Sequence, residues 1–504
     1  MIKISSIKTM KFSIFNHQAA NRLRGAKLFS LAFLFVLTTF SSCKKFLEEP
    51  VDNRTLITTV PDMEKTLNTL LPYSDHHFTD IMSDDYIFRD LSGHIVESAA
   101  ESVLPIFEFA INRQSISIDK FLSSGFSPAI AFRRYYYRII NSFLIINKAQ
   151  SLVPASPAER ARINAVIGKA KATKAYCNFM LVSLFGKQYN PATAETDMSI
   201  PLIETYDGDA VVPYPKASVK KIFDIVEADL LEALTLLKDT ETENAQFTFT
   251  KDAVYAMLTR LYLNKKDWDN TIRYADLLLA RRSIVLNNKQ IRTSITDYAQ
   301  YSSTYFNPSN ESYILLGNNT YQLLAYFFNG MYPYPAVQLL RDNAADPANN
   351  YVIITSPLVN DYVPQKLMNF QAPSSRSFNL PLFTVDEVYF NRAEASIEKN
   401  NGITAAAKTD LDLLMRSQNY SAAGLNTKMT QLNGLTTRAS SINFLLLLKR
   451  IRYTSEGMRW FDMKRHNLPV THVGRTGTYT IDGTDPNAYI IQLPLEEITR
   501  NSGL

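Results

Sequence analysis

The sequence predicts a mainly α protein: a layer of stacked helical pairs with a large irregular, loop-rich subregion and little β structure. Three observations predict it. Apolar residues recur at three- and four-residue spacing, so that Val219, Ile222, Phe223, Val226, Leu230, Ala233, Leu234 and Leu237 share one helix face. Helix start and stop signals stand at the ends of such stretches. The 504 residues are 46% hydrophobic and 12% aromatic, with only 16 Gly and 22 Pro, which excludes a disordered chain or a fibre.

The amino terminus reads as an address. Residues 1–27 are polar and cationic, and residues 28–40, LFSLAFLFVLTTF, are apolar. As a helix that run rises only about 20 Å, short of a bilayer core of about 30 Å, and a cationic stretch before a short apolar one marks a secretory signal over 1–42. It ends in Phe40-Ser41-Ser42-Cys43, which resembles a bacterial lipobox, although Phe40 stands where an aliphatic residue is usual. Acylation of Cys43 would bury dozens of methylenes at about 0.8 kcal/mol each, enough for stable anchoring. The alternatives are a plain cleaved signal that leaves Cys43 a free thiol, and an uncleaved anchor. Six of the 53 basic residues precede residue 43 and no acid does, leaving 47 against 48 Asp and Glu beyond it. That balance argues against nucleic acid as a partner. Two cysteines, Cys43 and Cys177, exclude a disulfide scaffold, and Cys177 reads as a small buried residue.

Residues 157–186 open with Ser156-Pro157-Ala158-Glu159, a capping box with proline at the first helical position, and stop at Gly186. Thr384-Val385-Asp386-Glu387 is a second box, starting a helix to about Lys399, which Asn401-Gly402 breaks before another over 404–417. Residues 252–281 form a helical pair of tetratricopeptide character: small Thr259, Thr271 and Ala275 let the helices approach, with Tyr262 and Trp268 filling the gap. Such pairs cannot bury a face alone, so the others are expected to stack on it. The helical layer is expected from about 131–281 and 384–465, and loop-rich parts from about 51–130 and 282–382. Residues 467–493 carry the signals of a small hairpin or an extended tail.

These residues resemble a family. Cys43-Lys44-Lys45-Phe46-Leu47-Glu48-Glu49-Pro50 is similar to the mature start of RagB/SusD-type outer-membrane lipoproteins of the Bacteroidetes. So are Tyr137-Arg138-Ile139-Ile140-Asn141, the stretch Gly168–Gly186, the pair at 252–281, and Glu456-Gly457-Met458-Arg459-Trp460-Phe461-Asp462, close to the family's E-G-x-R-W-x-D. The end, Leu493-Pro494-Leu495-Glu496-Glu497-Ile498 with Asn501, resembles its closing phrase. The blocks run in the family's order from residue 43 to 504. Departures are Leu448 and Arg452 where glutamates are usual, Thr384 in place of an arginine, and Lys44-Lys45 where an acidic tract often follows the lipid cysteine.

The resemblance implies a SusD-like α/α fold and a non-catalytic, lipid-anchored protein, expected on the outer face of the outer membrane. Such a protein binds an oligosaccharide, or a peptide, and passes it to a SusC-like TonB-dependent β-barrel transporter. It implies no cofactor. Sugars pack their C–H faces on flat rings, with hydroxyls satisfied by amides and charged groups nearby, so loops mixing the two are candidate sites. Residues 73–90 and 301–334 do so, and the candidate ligand contacts are Tyr73, Phe78, Tyr86, Tyr301, Tyr305, Tyr326 and Tyr332. His76-His77 beside aspartates lacks a third metal ligand at a recognisable spacing and reads as solvated loop, with a hard cation at Asp84-Asp85 left open. The charged residues at 459–465 read as a buried arginine–carboxylate network tying the C-terminal helix to the layer. The competing readings are a surface glycoside hydrolase or peptidase, which lacks a recognisable catalytic constellation here, and a tetratricopeptide envelope scaffold.

Overall fold

Helices form wherever the chain supplies a cap, an apolar stripe and a stop. The structure, a computed structural model, describes residues 57–70, 76, 78–88, 128–206, 208, 213–239, 245–294, 300–320, 331–332, 353–356, 361–364, 377–418, 420–474 and 477–504. The signal segment and Cys43 lie outside them. Helix α1 (Val60–Thr69) starts at Thr59, whose side chain and the Asp62 carboxylate cap each other's backbone N–H groups. After the single turn α2 (Thr79–Met82) come α3 (Pro128–Ser151), α4 (Pro157–Phe185) and α5 (Val219–Leu236), with α4 packed against both neighbours. Helices α6 (Lys251–Lys265) and α7 (Trp268–Leu279) form the next pair, followed by the short α8 (Asn288–Ser294) and α9 (Gln300–Tyr305). Then α10 (Val385–Asn400) packs on α6 and α7, α11 (Ala405–Arg416) on α10, and α12 (Ala422–Asn433) on α11. Helix α13 (Arg438–Arg452) returns to α10, α14 (Arg459–His466) reaches α2, and α15 (Leu495–Arg500) closes the chain. The mainly α class expected from the sequence is the class found.

Each pair buries what it could not bury alone. Between α6 and α7, Thr259, Thr271 and Ala275 are fully buried and the Tyr262 ring stacks on Tyr274, 5.4 Å apart and 5° from parallel. Trp268, expected in that gap, stays half-buried at its edge. It is the first residue of α7, and side chains lean towards the helix N-terminus, so its indole projects off the end of the pair. Both expected capping boxes form only by half. Ser156 and Thr384 accept from the N–H of Glu159 and Glu387, but Glu159 turns to the Ala155 N–H and Glu387 to Arg260. A buried guanidinium attracts that carboxylate more strongly than a backbone N–H does. Gly186 ends α4 in extended conformation, where a Cβ would stand 2.2 Å from Ser199 Oγ. Asn401, not Gly402, takes the left-handed position that ends α10, at φ +52°.

Among the described residues the strands pair two by two, all antiparallel, and trim the helical layer. The longest ladder joins β4 (Tyr313–Thr320) to β8 (Ser377–Thr384), with Gly317 opposite Leu380. The described part of 282–382 is therefore more regular than its sequence suggests. Tyr313, Ile314, Leu315 and Leu316 are all buried, so β4 shows no alternation to read. Strands β9 (Val470–Gly474) and β10 (Gly477–Ile481) form the hairpin expected near 467–493, with His472 opposite Tyr479.

The block after Glu456 is densely ion-paired and buried. Arg465 holds Glu394 of α10 at 2.6 Å and Asp462 at 2.9 Å, and Asp462 also accepts from Lys449 of α13 at 2.6 Å. The Lys464 ammonium caps the last turn of α4 through the carbonyls of Ser183 and Gly186. Burial alone would raise the Glu394 pKa, but Arg465 and His466 outweigh it and hold the carboxyl well below its usual range. Arg452, the departure noted in the sequence, is fully buried and pairs with Asp386 at 2.7 Å and Glu456 at 3.3 Å. The expected buried network is present and serves architecture.

His76 and residues 78–86 wrap this block. Gly457 has φ +76°, and a Cβ there would lie 2.8 Å from His76 Cδ2. Its N–H donates to Asp80 and its carbonyl accepts from Thr79. His76 is thus buried, edge-on to Phe461 at 5.8 Å, and not the solvated residue the sequence suggested. Asp84 and Asp85, left open as a cation site, are taken by Arg459 at 2.9 Å and Arg450 at 2.5 Å.

Candidate functional site

A cleft of about 560 Å³ opens where the first half of α3 meets residues 201–206, Pro213 and Tyr214, and the terminal helix α15. Its walls are rich in aromatic side chains because three tyrosines follow one another at 135–137. Successive helical residues are turned by about 100°, so they cannot share one face. Tyr135 is fully buried in the core, whereas Tyr136 lines the cleft and Tyr137 stands 62% exposed at its mouth. Phe132, one turn earlier, packs on Tyr136 with ring centroids 4.6 Å apart and sits edge-on to Phe185. The Tyr136 hydroxyl donates to the Pro201 carbonyl at 2.5 Å, which fixes the floor. Burial, and then the Glu497 carboxylate, push its pKa well above the usual phenol range, so it remains a neutral donor.

The other walls are fixed by amides. Asn147 donates to the Tyr206 carbonyl at 2.8 Å, and Asn501 donates to the Tyr214 carbonyl at 2.8 Å and to Glu497. Tyr206 and Tyr214 are each half-buried, leaving part of each ring in the cleft. Glu496 on α15 faces Arg133 of α3 at 3.9 Å and Arg500 at 2.8 Å. These exposed pairs are worth little in water and are free to exchange partners for a bound hydroxyl. Tyrosine faces ringed by two guanidiniums, two carboxylates and an amide suit a neutral polar molecule with an apolar face.

The residues expected to form the site fall differently. Phe78 and Tyr86 are fully buried beneath the Glu456 block, Tyr86 sharing a hydrogen bond with Ser455. Tyr305 is 1% exposed; its hydroxyl donates to Glu456 at 2.7 Å and also meets Arg452. These three rings present no face to a ligand and belong to the core. Spacing and composition could not distinguish a ring that packs from one that is displayed. Tyr73 and Tyr326 lie outside the described residues. Tyr301 is on α9, and Tyr332 is on β5 (Met331–Tyr332), opposite Ile87 of β1 (Ile87–Phe88). The two aromatic segments are therefore brought together by a β-ladder although more than two hundred residues separate them. The cleft at α3 and α15 escaped the sequence reading, which treated Tyr137 and the closing phrase only as marks of resemblance. The run of three tyrosines was the available signal, since one of them had to face outwards.

A pairwise-stacked helical layer with an aromatic cleft at its margin defines the class: a helical-repeat protein built around a ligand-sized cleft. A sequence model of a SusD-like family, described as starch-binding and associating with the outer membrane, matches residues 45–263. That stretch, somewhat under half of the chain, is similar to the SusD-like family. Solved structures agree over nearly the whole length. A SusD superfamily protein from Bacteroides fragilis superposes with a TM-score of 0.68 at 17% identity, over 90% of this chain and 100% of that one. One from Bacteroides vulgatus gives 0.65 at 19% identity, over 88% and 96%. A SusD-like carbohydrate binding protein from the same species gives 0.64 at 16% identity, over 88% and 97%. No curated protein matches the chain significantly.

Proposed function

We propose that this chain is a non-catalytic outer-membrane lipoprotein, anchored through Cys43, that binds glycan fragments and hands them to a SusC-like TonB-dependent β-barrel transporter. The observation that carries the reading is the cleft at α3 and α15, where Tyr137, Tyr206 and Tyr214 offer ring surface beside Arg133, Glu496 and Asn501. The family description, starch-binding and associating with the outer membrane, supports a glycan and a membrane location. A fold neighbour described as carbohydrate binding points the same way. Tyr332, on the β1–β5 ladder, and Tyr301, on α9, are proposed as further contacts, and Tyr73 and Tyr326 are proposed from the sequence alone. The cleft holds the sugar by stacking and by exchange of surface ion pairs, with no bond broken.

Calorimetric titration of the mature chain with maltoheptaose, and a glycan array for other polymers, test this reading. Binding without release of reducing ends is expected, and Tyr137→Ala should weaken it about tenfold, the loss of one stacked ring. Hydrolysis of the glycan, or binding unaffected by Tyr137→Ala, would overturn it. Cys43→Ala should release the protein from membranes.

A further inference from the structure

A second concavity carries a different chemistry. It consists of two adjoining lobes of 270 and 80 Å³ that share Lys266, Arg438, Arg465 and His466. They lie where the turn between α6 and α7 meets the start of α13 and the end of α14. None of these elements borders the aromatic cleft.

The charges here do not cancel. Glu394 is buried and accepts from Arg465 at 2.6 Å and from His466 at 2.9 Å. Glu398 receives the fork of Arg438 through Nε and Nη2, at 2.7 and 2.8 Å. Each acid of the basin is thus matched by a cation. Lys266 is left over. It is exposed, lines both lobes, and has no carboxylate within salt-bridge reach among the described residues. The Nη1 nitrogen of Arg438 is not used by Glu398. Lys266 also closes α6 in the left-handed conformation, at φ +61°, a place where glycine or asparagine is more usual. A cation therefore stands at the lip of the basin on a backbone that does not favour it.

The smaller lobe adds a flat surface. Trp268 is half-buried there, two residues after Lys266, and the amides of Gln188 and Asn264 line the same lobe. A planar indole beside amides suits the C–H face and hydroxyls of a sugar ring. One surplus positive charge suits one negative charge. A dianion would confront Glu394 and Glu398 across the basin without enough cation to offset the repulsion.

We propose that this basin binds a monoanionic sugar, a hexuronate residue, with its carboxylate between Lys266 and Arg438 Nη1 and its ring face against Trp268. The site is separate from the aromatic cleft and does not rest on the reading given to it. It gives the protein a means of distinguishing acidic from neutral glycans.

Intrinsic tryptophan fluorescence reads this site directly in the mature chain. The chain has two tryptophans, and Trp460 is fully buried against Tyr489, so a ligand-dependent change reports Trp268. Titration with galacturonic acid, a monoanion, should give a saturable change that weakens as salt rises. Lys266→Gln should weaken binding about tenfold, the loss of one charge-assisted contact, and Lys266→Arg should restore most of it. Galactose and acetate at equal concentration should give no saturable change. Tyr137→Ala should leave galacturonic acid binding intact, which separates failure here from failure at the cleft. The proposal is overturned if galacturonic acid produces neither a fluorescence change nor heat, if galactose binds equally, or if Lys266→Gln binds as wild type. Tighter binding of inorganic phosphate or of an acidic peptide would overturn it too.

Discussion

The block around Glu456–Arg465 and the cleft between α3 and α15 use the same residue types to opposite ends. Both mix aromatic rings with arginines and carboxylates. In the first, Trp460 is fully buried, and Arg465 and Glu394 are 8% and 1% exposed at the side chain. In the second, Tyr137 is 62% exposed, and Arg500 and Glu496 are 78% and 46% exposed at the side chain. Desolvation makes the difference. A charge withdrawn from water must keep its partner, so the first region is committed to a single arrangement. A charge left in water is nearly indifferent to its partner, so the second can yield its contacts to a ligand.

The comparison breaks most severely at Arg452. Removing its closer carboxylate by Asp386→Ala would leave a guanidinium that is 1% exposed on the longer Glu456 pair alone and also take the acceptor from the Leu286 N–H. The expected loss is about 3–5 kcal/mol of unfolding free energy, measured by urea denaturation. The triple change Asp386→Leu, Arg452→Met and Glu456→Gln should recover part of it, because it removes every member of the buried charge cluster together. A loss below about 1 kcal/mol for the single variant would show that water already reaches the pair.

Acid should act on the same region next. Glu394 is held well below its usual range in the folded chain, so the stability it contributes is present above its unfolded value, near 4.5, and is lost as pH falls through the depressed folded value. Unfolding midpoints should therefore drop as pH falls below about 4. Glu394→Gln should lower stability at neutral pH and flatten that acid slope. An unchanged slope would assign the acid sensitivity to other carboxylates.

The same contrast marks what the sequence could reveal. The helical layer was legible because its stripes and caps are local: Val219 to Leu237 on α5, Ser156 before α4, Thr384 before α10. The buried network was legible in outline because charge alternates with bulk from Arg459 to Arg465. Its partners were not, since Asp84, Glu394 and Asp386 lie far away in sequence. Exposure was the least legible quantity. Phe78, Tyr86 and Tyr305 looked like displayed rings because polar residues surround them, yet His76, Asp80 and Asp85 are buried with the first two rings, and Tyr305 turns inwards from between exposed Ser303 and Asn307. Tyr137 was read only as part of a family-resembling block, and its neighbours Ile139 and Ile140 give no sign that it is displayed.

The contrast between Tyr305 and Tyr137 yields the gentlest test. Tyr305 and Tyr137 are both tyrosines on helices, and Tyr137→Ala removes a ring that is mostly in water. Its effect on unfolding free energy should stay within about 0.5 kcal/mol, while glycan binding suffers. Tyr305→Phe keeps the ring but removes the hydroxyl that serves Glu456 and Arg452, and should cost about 1–3 kcal/mol without touching the cleft. Measuring both variants by denaturation and by maltoheptaose titration crosses the two readouts. If Tyr137→Ala destabilised the fold as much as Tyr305→Phe, the cleft would be a second piece of architecture, and desolvation would no longer separate the two regions.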